Sequence, residues 1–187
     1  MGDLQVGGAF VADFPDYTRH KFYGYGFYVD LDFSEHFGAE GEFRQANDAT
    51  VNPNTNQKVP QYQRTFDGGL RYHRTYGNLI PYAKAVYGYA VLEYPPYPAP
   101  ASPTVSAATI GYNFLGMGAG IDYVVAPHIT IRADFEYQDW FSSKNAALPA
   151  NGLPNGLTPI LYTGGVAYRF GSGQYTPHGG HRGLYGR

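Results

Sequence analysis

Along most of the chain, apolar and polar positions alternate with a period of two, in blocks of about ten residues separated by turn-rich stretches. In Tyr23–Phe33 one face carries Tyr23, Tyr25, Phe27, Val29, Leu31 and Phe33, while the other carries Gly24, Gly26, Tyr28, Asp30 and Asp32. The same alternation returns in Ile129–Trp140 and Ile160–Phe170. By extension it covers Leu4–Phe14, Gly38–Ala46, Gln61–Tyr76, Pro81–Tyr94 and Ile110–Tyr123. This predicts about eight strands, an even number that suits an up-and-down barrel. In the sixth segment the apolar positions switch from even (Ile110, Tyr112) to odd (Leu115, Met117, Ile121, Tyr123), which predicts a bulge near Asn113 or Phe114.

Short connections (Ser34–Phe37, Gly77–Ile80, Val124–His128) alternate with long ones (Pro15–Lys21, Asn47–Pro60, Pro95–Thr109, Phe141–Pro159). The long ones hold the run Asn52–Asn56 and the Pro-rich stretch 95–100, compositions expected to form turns or polyproline segments and no further strand. The reading is therefore a barrel domain over residues 1–170 and a Gly-rich tail over 171–187.

Composition narrows the classes. With 187 residues, 25 Gly, 14 Pro and 17% aromatic residues, a helical bundle is excluded. A net charge of −2 offers no basic face for nucleic acid. The absence of Cys removes disulfides, thiol nucleophiles and Cys-based zinc sites. No apolar run approaches the roughly 18 residues of a membrane-spanning helix. Met1–Leu4 lacks the basic and apolar regions of a signal peptide, which fits either no leader or one already removed.

Charge placement decides which face points inward. The more polar register carries Asp30, Asp32, Glu40, Glu42, Asp67, Asp122, Asp134 and Glu136 together with Arg44, Arg71, Lys84, Arg132 and Arg169. The apolar register has charges only near strand ends, at Arg64, Arg74, Glu93 and Asp139. An inward-facing apolar register would crowd many Tyr and Phe rings into a lumen wide enough only for ordinary side chains. With the polar register inward, frequent glycines such as Gly26, Gly69 and Gly118 leave room for the charges to pair. The expected interior is thus a charge-paired plug, and the exterior is greasy, as in a transmembrane barrel. Aromatic residues near strand ends read as two girdles: Phe33, Tyr72, Tyr76, Tyr123 and Phe170 at the short-turn rim, and Phe14, Tyr23, Tyr62, Tyr94 and Tyr137 at the other.

Three stretches carry a family resemblance. Residues 114–137 (FLGMGAGIDYVVAPHITIRADFEY) resemble the last hairpin of small outer-membrane β-barrel proteins of the OmpA-like and OmpX-like group, and residues 33–43 (FSEHFGAEGEF) resemble a strand and short periplasmic turn of that group leading into the next strand. Residues 161–170 (LYTGGVAYRF) resemble that group's closing strand. The resemblance implies an all-β, eight-stranded antiparallel barrel in the outer membrane of a Gram-negative-type bacterium. Both termini would lie on the periplasmic side and the long loops outside. Its partners would be outer-membrane lipid and the barrel-assembly machinery, with Tyr168 and Phe170 as the closing-strand signal. Members often continue into a peptidoglycan-binding domain, for which 17 residues after Phe170 are too few.

Candidate chemistry is sparse. His20, His36, His73, His128, His178 and His181 show no triad partner by motif. The inward carboxylates Asp134 and Glu136 with Asp30 and Asp32 suit ion pairing better than a paired-acid site. His178 and His181 supply two tail ligands without a third at defined spacing, so no metal or cofactor is expected. The expectation is a non-enzymatic structural or surface-adhesion barrel. The alternative is an extracellular filament of such barrels, self-associating through residues 171–187, with Tyr175, Pro177, Leu184 and Tyr185 as contacts.

Overall fold

The computed structural model describes residues 3–16, 21–51, 58–94, 97–99, 102–105, 108–144 and 156–170. Ten strands follow in order: β1 (Asp3–Phe14), β2 (Phe22–Asp32), β3 (Phe37–Val51), β4 (Lys58–His73), β5 (Leu79–Tyr94), β6 (Tyr97–Ala99), β7 (Ser102–Val105), β8 (Ala108–Ala126), β9 (Ile129–Lys144) and β10 (Ile160–Arg169). Eight of them close an all-antiparallel barrel in the order β1-β10-β9-β8-β5-β4-β3-β2. The seam pairs β1 with β10 from Gln5↔Arg169 to Phe14↔Ile160, and the Phe170 amide donates to the Leu4 carbonyl at 2.8 Å. Among the described residues no helix is long and apolar enough to cross a membrane.

Period-two alternation becomes two faces. Outward-pointing Phe10, Phe27, Val29, Leu70, Met117, Ile131, Tyr162 and Val166 are exposed, while inward-pointing Gln5, Asp30, Arg44, Arg71, Asp122 and Glu136 are buried. Charges inside and large apolar groups outside invert the arrangement of a water-soluble barrel. The girdle residues Phe33, Tyr72, Tyr76, Tyr123, Phe170, Tyr23 and Tyr137 are exposed on the outer face.

The interior is built in tiers. Charged groups fill the middle and the short-turn end. Toward the long-loop end the lumen becomes an apolar core of Val86, Ala90, Ile110, Tyr112, Phe114, Trp140 and Leu157, with a second cluster of Phe22, Ala46 and Leu92. This corrects the expected parity change in β8. The β5–β8 ladder runs without interruption from Leu79↔Tyr123 to Tyr94↔Ala108, so Ile110, Tyr112 and Phe114 keep facing inward. The polarity of the two faces changes there, not the register. Outward-facing Thr109 and Asp139 are exposed at this end, as around an ordinary soluble core. Register shifts do occur against β9: an extra residue on β9 between Phe141 and Lys144, and an extra residue, Val125, on β8.

Other connections are more ordered than expected. β3 and β4 continue as a paired hairpin to Val51↔Lys58. β9 runs to Lys144, and Leu157 bridges to Trp140. The Pro-rich stretch does contain further strands, because β6 and β7 pair Tyr97↔Val105 and Ala99↔Ser102. Proline is tolerated in such an edge hairpin, where Pro98 and Pro103 forfeit no sheet-interior bond. β4 ends at His73 rather than Tyr76, which forms an isolated bridge to Leu79 across a turn with Gly77 at a φ of 62°. The tail residues Tyr175, Pro177, His178, His181, Leu184 and Tyr185 lie outside the described residues.

A charge-paired lumen as the candidate site

Strand register brings together inward-facing residues far apart in the chain. From β3 come Glu40, Glu42 and Arg44, from β4 Asp67 and Arg71, from β5 Lys84, from β8 Asp122, from β9 Arg132, Asp134 and Glu136, and from β2 Asp30. Side chains of this group are at most 3% exposed.

Two linked sub-networks result. Toward the long-loop end, Arg44 meets Glu42 at 2.5 Å, Glu136 at 2.6 Å and Asp67 at 3.1 Å. Lys84 meets Glu40 at 2.8 Å, Glu136 at 2.9 Å, Asp134 at 3.0 Å and Glu42 at 3.2 Å. Toward the short-turn end, Arg132 meets Asp122 at 2.8 Å and Glu40 at 3.0 Å and also pairs with Asp30. Arg71 meets Asp30 at 2.7 Å and pairs with Asp122. Glu40 accepts from both Lys84 and Arg132 and so joins the halves.

Aromatic rings close the remaining space. The Arg71 guanidinium lies 3.9 Å from the Tyr82 ring centre, and that of Arg132 lies 4.0 Å from the Tyr28 ring. The Tyr82 hydroxyl donates to Asp134 at 2.7 Å. A hydrogen-bond chain ties charge to apolar core: Trp140 Nε1 donates to Gln138 at 2.8 Å, and Gln138 Nε2 donates to Glu136 at 2.7 Å. Neither Tyr28, Tyr82 nor Gln138 stood out in the sequence as part of the network. Their inward register was the only available signal.

Asp32 and Arg169 lie apart from the central network, at the short-turn mouth. Asp32 faces His73 at 3.5 Å, and Arg169 pairs with Asp3 across the seam. Tyr168 and Phe170 are exposed on the outer face with ring centres 4.9 Å apart, and His128 stacks on Tyr168 at 5.5 Å. Glu42, Asp67 and Glu136 bring carboxylate oxygens within 4.8 Å of one another, the spacing of a metal cluster. The Arg44 guanidinium bonds all three and already supplies the cation.

Seven buried carboxylates, Asp30, Glu40, Glu42, Asp67, Asp122, Asp134 and Glu136, share four buried cations, Arg44, Arg71, Lys84 and Arg132, so the cations offset much of the buried negative charge but not all of it. The arrangement is chemically suited to sealing and bracing the lumen, since most of the charges removed from water are held by more than one partner.

Comparison with known proteins agrees with the geometry. No curated protein sequence matches the chain. Among solved structures, Neisserial surface protein A superposes with a TM-score of 0.65 at 13% identity, over 90% of this chain and 97% of that one. Ail, the attachment invasion locus protein of Yersinia pestis, superposes with a TM-score of 0.57 at 16% identity, over 90% and 97% of the two chains. OprG from Pseudomonas aeruginosa gives 0.55 at 17% identity, over 90% and 96%. The sequence pattern of the outer membrane protein beta-barrel domain matches residues 2–170. The chain, with its apolar outer face, ion-paired lumen and eight closed strands, belongs to the outer membrane protein β-barrel family.

Proposed function

We propose that this outer-membrane barrel is a non-enzymatic structural or adhesion element that works through its long-loop end at the cell surface. The observation that carries this reading is the double closure of the lumen. A buried ion-pair network and an apolar core lie in series along the axis, which speaks against a solute-conducting pore. The work then falls to the surfaces that leave the membrane: the β3–β4 hairpin, the β6–β7 hairpin and the extended end of β9. Two structural relatives support a surface role. One is by name a surface protein, and Ail is by name an attachment protein whose structure holds a heparin analogue. Lipid covers the outer apolar band, and the assembly machinery reads Tyr168 and Phe170 at the end of β10.

The test joins two measurements on the full chain. In planar lipid bilayers the purified barrel is expected to give no steady conductance. Displayed on a non-adherent bacterial host, it is expected to increase attachment to host-cell matrix, and replacing the β6–β7 hairpin with a Gly-Ser linker should abolish the gain. Stable single-channel currents, or no gain in attachment, would overturn the reading.

A further inference from the structure

The short-turn mouth holds a cavity of about 680 Å³, lined among others by Asp3, Asp32, His36, His73 and Arg169. Asp32 ends β2 and His73 ends β4, and both side chains turn inward. His73 Nδ1 lies 3.5 Å from Asp32 Oδ1, with side chains 7% and 15% exposed. That separation exceeds a good hydrogen bond, and among the described residues neither atom has another hydrogen-bond partner. Buried polar atoms are nearly always satisfied, so two facing atoms left without a close hydrogen bond leave room for a shared third partner.

Their spacing specifies one. Ligand atoms about 2.0–2.2 Å from a tetrahedral zinc ion stand about 3.4 Å apart, which matches the distance here. A third donor is at hand. The His73 amide donates to the His36 carbonyl at 2.8 Å, continuing the ladder beyond Phe37↔Tyr72, so His36 sits directly across from His73. Side chains so opposed have Cβ atoms about 5 Å apart. The His36 ring rests 6.0 Å from the Tyr72 ring and lines the same cavity, so its recruitment as a ligand requires the ring to turn toward His73 on binding.

We propose that the short-turn mouth is a divalent transition-metal site of the zinc class, with Asp32 and His73 as preset ligands, His36 as the ligand recruited on binding, and water in the fourth position. The nearby cations are otherwise engaged: Arg71 with Asp30 and Asp122, Arg169 with Asp3, and Arg74 with the Tyr72 hydroxyl. The carboxylate cluster deeper in the lumen does not compete, because Arg44 fills it.

Zinc chloride titration of the refolded full chain tests this by calorimetry, with His178→Gln/His181→Gln as the background that silences the tail. One zinc per barrel is expected. His73→Gln should abolish binding, and Asp32→Asn and His36→Gln should each weaken it by about tenfold or more. Cobalt substituted for zinc should give the intense visible absorption of a tetrahedral site. Retained gel mobility of the unheated protein shows that each variant still folds. The proposal is overturned by zinc binding that vanishes with the tail histidines, by binding unchanged in Asp32→Asn and His73→Gln, or by no binding, which would leave water as the bridge.

Discussion

Lys84 illustrates what a buried charge contributes in this lumen. Its ammonium contacts four carboxylates from two strands, so Lys84→Met leaves several of them short of a counter-charge. Breaking a buried pair in this way costs about 3–5 kcal/mol, whereas removing both partners costs much less. Lys84→Met should therefore lower the urea midpoint sharply, and Lys84→Met/Glu136→Gln should recover part of the loss. Trp140, fully buried and the only tryptophan, supplies the fluorescence signal. Two glycines make a second pair of opposites. A Cβ added at inward-facing Gly69 would collide with the Ala85 carbonyl oxygen, while one at outward-facing Gly164 meets nothing within 4 Å. Gly69→Ala should cost about 1–3 kcal/mol in the same titration, and Gly164→Ala should leave it unchanged. The charged residues of the lumen were legible in the sequence because charge on one register of a strand is a strong signal. Their partners were not. Which carboxylate Arg44 or Arg71 reaches depends on strand order around the barrel, and alternation alone does not encode it. For the same reason Asp32 and Arg169 could not be assigned to the mouth.

β8 shows where a pattern argument fails and why. Strand existence was legible for all eight barrel strands, since each holds its alternation for about ten residues. The apolar positions Ile110 and Tyr112 mimic a change of face in the sequence because they fill an interior core, whereas Leu115, Met117, Ile121 and Tyr123 on the same strand are apolar and exposed on the outer face. In the structure, the outward register is apolar only along a band around the middle of the barrel. Past it the outer face carries polar residues such as Thr109 and Asp139, and the interior reverts to an ordinary core with Phe114 against Trp140 at 6.4 Å. The boundary can be tested on one face of one strand. Met117 is 72% exposed, whereas Asn113 faces outward near the long-loop end. Met117→Arg should destabilise the barrel in lipid vesicles by about 2–4 kcal/mol, and Asn113→Arg by about 0–1 kcal/mol. Equal costs at the two positions would place both on the same side of the boundary. The β6–β7 hairpin escaped the sequence reading for a different reason. Proline content argues against a sheet interior but is neutral toward a short two-stranded edge.

Taken as one object, the molecule is a wall with a largely polar filling, and its outer surface exposes a broad apolar band, as outer-membrane barrels do. The tiers along its axis divide the work. Ion pairs hold the middle, an apolar core caps the long-loop end, and the mouth at the other end keeps a cavity with titratable groups. The seam has a consequence for how such a wall can be made. Asp3 and Arg169, separated by 166 positions, meet only when the last strand pairs with the first. Until then every growing intermediate has two unsatisfied sheet edges, and the longest loop closure comes last. Synthesis thus proceeds in one direction, but completion waits for the final ten residues of the barrel. An incomplete chain is not a smaller barrel but an open sheet, hazardous to its neighbours, and it must be kept apart from them until its end arrives.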